Sequence, residues 1–164
     1  MEQVSLRAWR YEDADRVAQM MNDAAVMQYL TASMPKPYTP RDLWDFIELG
    51  KRERRMDRAV LVNGVVAGGI GLSATCMFGY WFGREYHGRG IATQAVRLFL
   101  KEVPQNMPEC LRLKARVFEP NAASMRVLEK NGFVRIPEQN DPEAAWDGKL
   151  YHYACFERAV QDVL

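Results

Sequence analysis

Residues His87-Gly88-Arg89-Gly90-Ile91-Ala92-Thr93 join an aromatic run to an amphipathic one, and this junction constrains the chain more than any other stretch. Ahead of it, Phe78-Gly79-Tyr80-Trp81-Phe82 has the aromatic content of a buried strand. Behind it, Ile91, Ala95, Leu98 and Phe99 recur at helical spacing, with Arg97 and Lys101 on the other side. The glycines are therefore predicted at a helix N-terminus. There the first four N–H groups lack intrahelical partners, and the macrodipole adds about half a positive charge. Gly88 and Gly90 carry no Cβ, so the backbone can turn sharply and approach a bulky diphosphate, with Arg84, Arg89 and His87 as further positive or hydrogen-bonding groups. A lone Gly-x-Gly equally suits an ordinary turn between strand and helix. A Walker loop would need Gly-Lys-Ser/Thr, which is absent, and a dinucleotide fingerprint fits poorly with Thr93 so late in the chain.

With 164 residues the chain has room for one domain, spanning 1–164, that buries roughly 70% of its unfolded surface. The 22 basic and 21 acidic residues nearly cancel, so no global field draws it to nucleic acid or an anionic membrane. Any anion site must be local. Cys76, Cys110 and Cys155 form no Cys-x-x-Cys pair, and an odd count with no signal peptide predicts free core or surface thiols in a reducing cytoplasm. No apolar run is long enough to span a bilayer. His87 and His152 are the only histidines and no ligand cluster accompanies them, so no metal is expected.

In chain order, Val4 to Trp9 alternates as a strand and Glu12 to Asn22 carries a helical apolar period. Residues 23–37 are expected as short turns and loop. Thr39-Pro40-Arg41-Asp42 marks a strong helix start, with the helix expected to reach about Arg55 and its closing cations solvated. Asn63-Gly64 predicts a hairpin between strands Ala59 to Val62 and Val65 to Leu72. A third strand, Phe78 to Phe82, leads to the glycine loop, and the helix after it is expected to end near Val103, ahead of Pro104 and Pro108. Leu111 to Phe118 is a strand, parallel to the third if the helix is a crossover. Asn121 caps a helix that Gly132 terminates, and Phe133 to Ile136 and Leu150 to Phe156 close the chain around an acidic loop.

Three stretches carry a resemblance. Residues 83 to 95, Gly-Arg-Glu-Tyr-His-Gly-Arg-Gly-Ile-Ala-Thr-Gln-Ala, resemble the acetyl-coenzyme A loop of the GNAT superfamily of N-acetyltransferases, Gln/Arg-x-x-Gly-x-Gly/Ala. Gly90 and Ala92 fill the small positions, and His87 stands where Gln or Arg is usual. Leu6-Arg7-Ala8-Trp9-Arg10 with Glu12-Asp13-Ala14 is similar to the family's first strand and helix, and Asn121 to Ser124 through Lys130-Asn131-Gly132-Phe133 to its late helix. Together they look most like the RimJ/RimL branch, the ribosomal-protein N-terminal acetyltransferases.

The resemblance implies an α/β (α+β) fold, a mixed and mostly antiparallel twisted sheet of about six to seven strands with helices on both faces. It implies acetyl-coenzyme A as co-substrate, cradled by His87, Gly88, Arg89, Gly90, Ile91, Ala92 and Thr93. The family's fourth and fifth strands splay apart, which assigns unpaired N–H groups near Trp81 and Phe82 to the pantetheine and thioester oxygen. A backbone donor to such an oxygen is worth roughly 3 to 4 kcal/mol. Asn121 is implied as a coenzyme contact and helix cap, and Ser124, one turn on, as the hydroxyl near the sulfur. Lys130 either reaches a coenzyme phosphate or sits in solvent.

Some relatives carry a Glu base before the last strand, where aligning on Trp146-Asp147-Gly148 puts Ala144, with Glu143 beside it. No base is assignable. An α-amine reaches its neutral form at pH 7 for only about 1 kcal/mol, against roughly 4 to 5 for lysine, so the acceptor is expected to be a peptide N-terminus or a small weakly basic amine. Asp141, Glu143 and Asp147 would either attract a cationic substrate or form a solvated loop. The alternative activity is a catalytically silent acyl-coenzyme A sensor or interaction module, and either a monomer or a homodimer is compatible with the chain.

Overall fold

The computed structural model describes residues 2–161. A four-stranded antiparallel sheet has the order β1-β2-β3-β4, with β1 at Val4–Arg7, β2 at Met56–Val62, β3 at Val65–Leu72 and β4 at Phe78–Phe82. A three-stranded antiparallel sheet has the order β5-β9-β6, with β5 at Arg112–Phe118, β6 at Val134–Ile136 and β9 at Tyr153–Ala159. The hairpin β7 (Glu143–Ala144) and β8 (Leu150–Tyr151) stands apart from both. The hairpin turn is as the sequence predicts: Asn63 and Gly64 both take positive φ, 52° and 82°, and β3 begins at the next residue.

Alternation along β2 sorts the core into two layers. Val60 and Val62 face the helix α4 (Ile91–Asn106), whose Ile91, Ala95, Val96 and Phe99 are at most 1% exposed. Ala59 and Leu61 face the other way, under α1 (Ala14–Met21), α2 (Ala24–Met27) and α3 (Pro40–Arg52). The last helix, α5 (Ala122–Lys130), buries Leu128 in the first layer. Helices thus cover both faces, as the resemblance implies.

The two sheets touch at one point. Met77 forms a single parallel bridge with Lys114, whose N–H donates to the Cys76 carbonyl over 3.0 Å; beyond it β4 pairs only with β3, and β5 only with β9. The strands part toward the C-terminal end of β4, leaving a gap that opens onto the glycine loop.

Several expectations are corrected. Cys76 and Cys110 are joined by a disulfide, 34 residues apart in sequence, and only Cys155 is a free, buried thiol. The two cysteines precede β4 and β5, so the approach of the strand starts pairs them, and three free thiols are no longer an argument for a reducing compartment. Helix α3 stops at Arg52, because Arg54 bonds Glu109 and the Asn106 carbonyl while Arg55 pairs with Asp57 just ahead of β2. Helix α4 runs through Pro104 to Asn106. The closing strand is broken at His152, whose ring bonds the Asn140 carbonyl over 2.9 Å, and β9 continues to Ala159. Among the described residues no helix is long and apolar enough to cross a membrane.

Candidate active site

The geometry of the gap follows from the β3–β4 ladder. Gly83 N–H donates to the Ala67 carbonyl and Ser73 N–H to the Met77 carbonyl, both over 2.9 Å. In an antiparallel ladder such pairs alternate, so Trp81, opposite Gly69, turns its backbone groups toward β3. Tyr80 and Phe82 turn theirs toward the gap. Trp81 instead stacks its indole on Trp9, with centroids 6.4 Å apart, on the opposite face of the sheet from the α4 layer. Of the two residues expected near the thioester, Phe82 therefore presents free backbone and Trp81 does not.

His87 closes part of this edge. Its Nε2 lies 2.8 Å from the Phe82 carbonyl, and a carbonyl can only accept, so Nε2 carries the proton. The side chain ties the loop to β4. The Phe82 N–H remains directed at the gap.

Helix α4 starts without a side-chain cap. Gly90 is left-handed, at φ 75° and ψ 5°, and its carbonyl receives the first helical bond from Gln94 N–H over 3.2 Å. The N–H groups of Gly90, Ile91, Ala92 and Thr93 have no intrahelical acceptors. Gly88 is also left-handed, at φ 72°, and a Cβ on either glycine would meet nothing within 4 Å. This is open room beside unpaired donors, which suits a bulky diphosphate. Arg89 is engaged: it pairs with Glu2, donates to the Glu85 carbonyl over 2.8 Å and lies over the Tyr86 ring. Arg84 is exposed, 3.9 Å from Asp23.

Helix α5 spans the same region. At its start, Asn121 Oδ1 accepts the Ser124 N–H over 3.3 Å, the predicted cap. The Ser124 Oγ lies 2.8 Å from the Tyr80 hydroxyl, which is also 3.1 Å from the Ser124 carbonyl. At its end, the fully buried Asn131 donates to the Thr93 carbonyl over 3.3 Å and to the Val127 carbonyl over 3.0 Å. One end of α5 is thus fixed to mid-β4 and the other to the first turn of α4. Lys130, the residue before Asn131, is exposed.

Tyr80 and Asn131 were not singled out from sequence. Tyr80 had one signal, a lone polar atom among the phenylalanines of a buried strand. Burial pushes its phenol up to about 12, against a smaller opposing effect of the Ser124 bond.

The acidic loop is largely committed to structure. The Glu143 carboxylate accepts the Tyr153 hydroxyl over 3.1 Å, and Asp147 accepts the Lys149 N–H over 3.0 Å. Above them, Trp146 N–H donates to the Leu30 carbonyl and Ala32 N–H to the Ala144 carbonyl, so residues 30–32 lie along this loop. Among the described residues no group of three or more His, Cys, Asp or Glu is placed to hold a metal ion.

Comparison with known proteins agrees with this fold. Over 99% of its length the chain superposes on 96% of the ribosomal-protein-S5-alanine acetyltransferase of Vibrio fischeri, with a TM-score of 0.81 and 20% identity. It matches the spermidine N-acetyltransferase of Vibrio cholerae, solved with CoA and spermine, with a TM-score of 0.79 and 16% identity, over 96% of this chain and 95% of that one. These likenesses are of fold. In sequence, 63 residues, 38% of the chain, are 40% identical to the probable N-acetyltransferase YjcK of Bacillus subtilis, and they span 34% of that relative's length. The family model described as an acetyltransferase (GNAT) domain matches residues 3–134, which include β4, the glycine loop and α5. The chain belongs to the GNAT family of acetyltransferases.

Proposed function

We propose that this chain moves an acetyl group from acetyl-coenzyme A directly to a primary amine. The observation that carries the proposal is the gap between β4 and β5, which runs from one bridge at Met77 to the uncapped start of α4 at Gly90. The coenzyme's diphosphate is held by the N–H groups of residues 88 to 93, with His87 shaping the loop, and the exposed Lys130 at the end of α5 is assigned to a phosphate group. Its pantetheine lies along the free edge of β4. The Phe82 N–H faces the negative charge that develops on the thioester oxygen, a donor worth roughly 3 to 4 kcal/mol. Ser124, held by the Asn121-capped turn, gives its proton to the departing thiolate.

The acceptor is an amine that is partly neutral at pH 7, a peptide α-amine or a weakly basic small molecule. Glu143 and Asp147 are occupied by Tyr153 and by the Lys149 N–H, so neither stands free as a base. An α-amine needs none, since its neutral form costs only about 1 kcal/mol. The ribosomal-protein-alanine and spermidine acetyltransferases that share the fold act on the two acceptor types most worth testing first.

Calorimetric titration with acetyl-coenzyme A tests the first half, with micromolar binding expected. Thiol release in the presence of an alanine-start peptide, spermine or an arylamine tests the second, with the peptide expected to be fastest. Absence of binding, or of thiol release with all three, would overturn the proposal.

A further inference from the structure

We infer that Tyr80 is a positioning residue for the Ser124 hydroxyl, reaching it across the gap between the two halves of the sheet. The inference rests on Ser124 as the proton donor proposed above. Tyr80 occupies the middle of β4, with its ring between those of Phe78 and Phe82 at centroid distances of 5.7 and 5.9 Å. All three rings pack in the layer of α4 and α5. Only Tyr80 carries a polar atom there, and that atom meets both Ser124 Oγ at 2.8 Å and the Ser124 carbonyl at 3.1 Å. Strand β4 belongs to the four-stranded half, whereas α5 follows β5 of the other half. The contact is a polar tie between the two walls of the gap.

The tie has a chemical use. A free serine hydroxyl rotates among several directions. The Tyr80 hydroxyl has one proton, for which the Ser124 carbonyl at 3.1 Å and Ser124 Oγ at 2.8 Å compete. When Tyr80 gives it to Oγ, the shorter contact, the Ser124 proton must point elsewhere, and the polarised chain makes that proton a better donor. In the transfer, the amine nitrogen bonds to the thioester carbon and the C–S bond breaks with its electron pair on sulfur. The sulfur takes the Ser124 proton. The nitrogen, cationic once it has bonded to the carbon, loses a proton that returns to Ser124 through water, and Tyr80 keeps its own throughout. Amine and thioester become amide and thiol, with no other reactant.

The test compares Tyr80→Phe, Ser124→Ala and the double variant, using whichever amine of the panel above the wild type acetylates fastest. Ser124→Ala is expected to lower kcat about a hundredfold, the low end of proton-transfer catalysis, and Tyr80→Phe about tenfold, the scale of one hydrogen bond. The dissociation constant for acetyl-coenzyme A should stay within about twofold in Tyr80→Phe, and the double variant should be no slower than Ser124→Ala alone. Wild-type kcat in Tyr80→Phe, or losses that multiply in the double variant, would overturn the inference and leave Ser124 as donor. Loss of coenzyme binding together with a lowered Tm in Tyr80→Phe would mark a purely structural role and also overturn it. Wild-type kcat in Ser124→Ala would remove the proton-donor role, and the inference with it.

Discussion

Helices α3 and α4 begin in opposite ways. At α3 the start is closed by the chain's own side chains: Pro40 stands in the first turn, and the Asp42 carboxylate accepts the Thr39 N–H over 2.7 Å and the Thr39 hydroxyl over 2.9 Å. At α4 the same region is a left-handed glycine with no side-chain cap and empty space around it. The first arrangement spends the helix's unpaired donors and positive end on stability. The second leaves them unspent, free for the diphosphate proposed above, and the contrast separates a capped helix start from an open one.

The comparison breaks most sharply if a carboxylate is added to the open start. Gly90→Glu places a side chain at positive φ and a negative charge at the proposed diphosphate site, and should weaken acetyl-coenzyme A binding at least about a hundredfold by calorimetry. Unchanged affinity would mean that α4 is only another helix start.

A smaller effect is expected where a start is already closed. Burial pushes the Asp13 carboxyl up, but the Arg7 guanidinium and the Arg10 N–H more than offset this and hold it below the usual range. Asp13→Asn should cost about 2 kcal/mol near neutral pH. Because the folded pKa is depressed, that stability is present above about pH 4 and is lost as the pH falls through the folded value. Urea unfolding of both proteins from pH 3 to 7 should show the two curves converging at the acid end.

Asp42→Ala removes the acceptor that closes α3. About 1 kcal/mol of stability should be lost in denaturant melts with coenzyme affinity unchanged. A change in affinity would show that the two starts are coupled.

The smallest effect sharpens the open end. Glu2 occupies Arg89, so Glu2→Gln should tighten acetyl-coenzyme A binding about two- to threefold at low salt, in the range of a partly exposed ion pair. The gain should shrink as salt is added.

What the sequence made legible was local. Asn63-Gly64 fixed the start of β3, Asn121 the cap of α5, and Gly88 and Gly90 the left-handed turns ahead of α4, because each signal and its consequence lie within a few residues. The missed features are contacts over long separations. Arg54 leaves α3 to meet Glu109, Cys76 meets Cys110, and Tyr80 meets Ser124 only because β4 and β5 separate beside α5. Trp81 turns its N–H to β3 rather than to the gap for a related reason. A one-residue choice of ladder phase decides which N–H faces the gap, and that phase is set by pairing with β3 rather than by the aromatic run itself.

The Cys76–Cys110 bond lies at the closed end of the gap, and it makes a covalent ring of everything between: β4, the glycine loop and α4. A ring of this size restricts the unfolded chain by about 4 kcal/mol in a chain-entropy account. It also changes what a cut does. A protease nick anywhere between residues 77 and 109 leaves one molecule with its two pieces still attached, whereas a nick in residues 23–37 separates α1 from α3 along the backbone with no such bond to rejoin them.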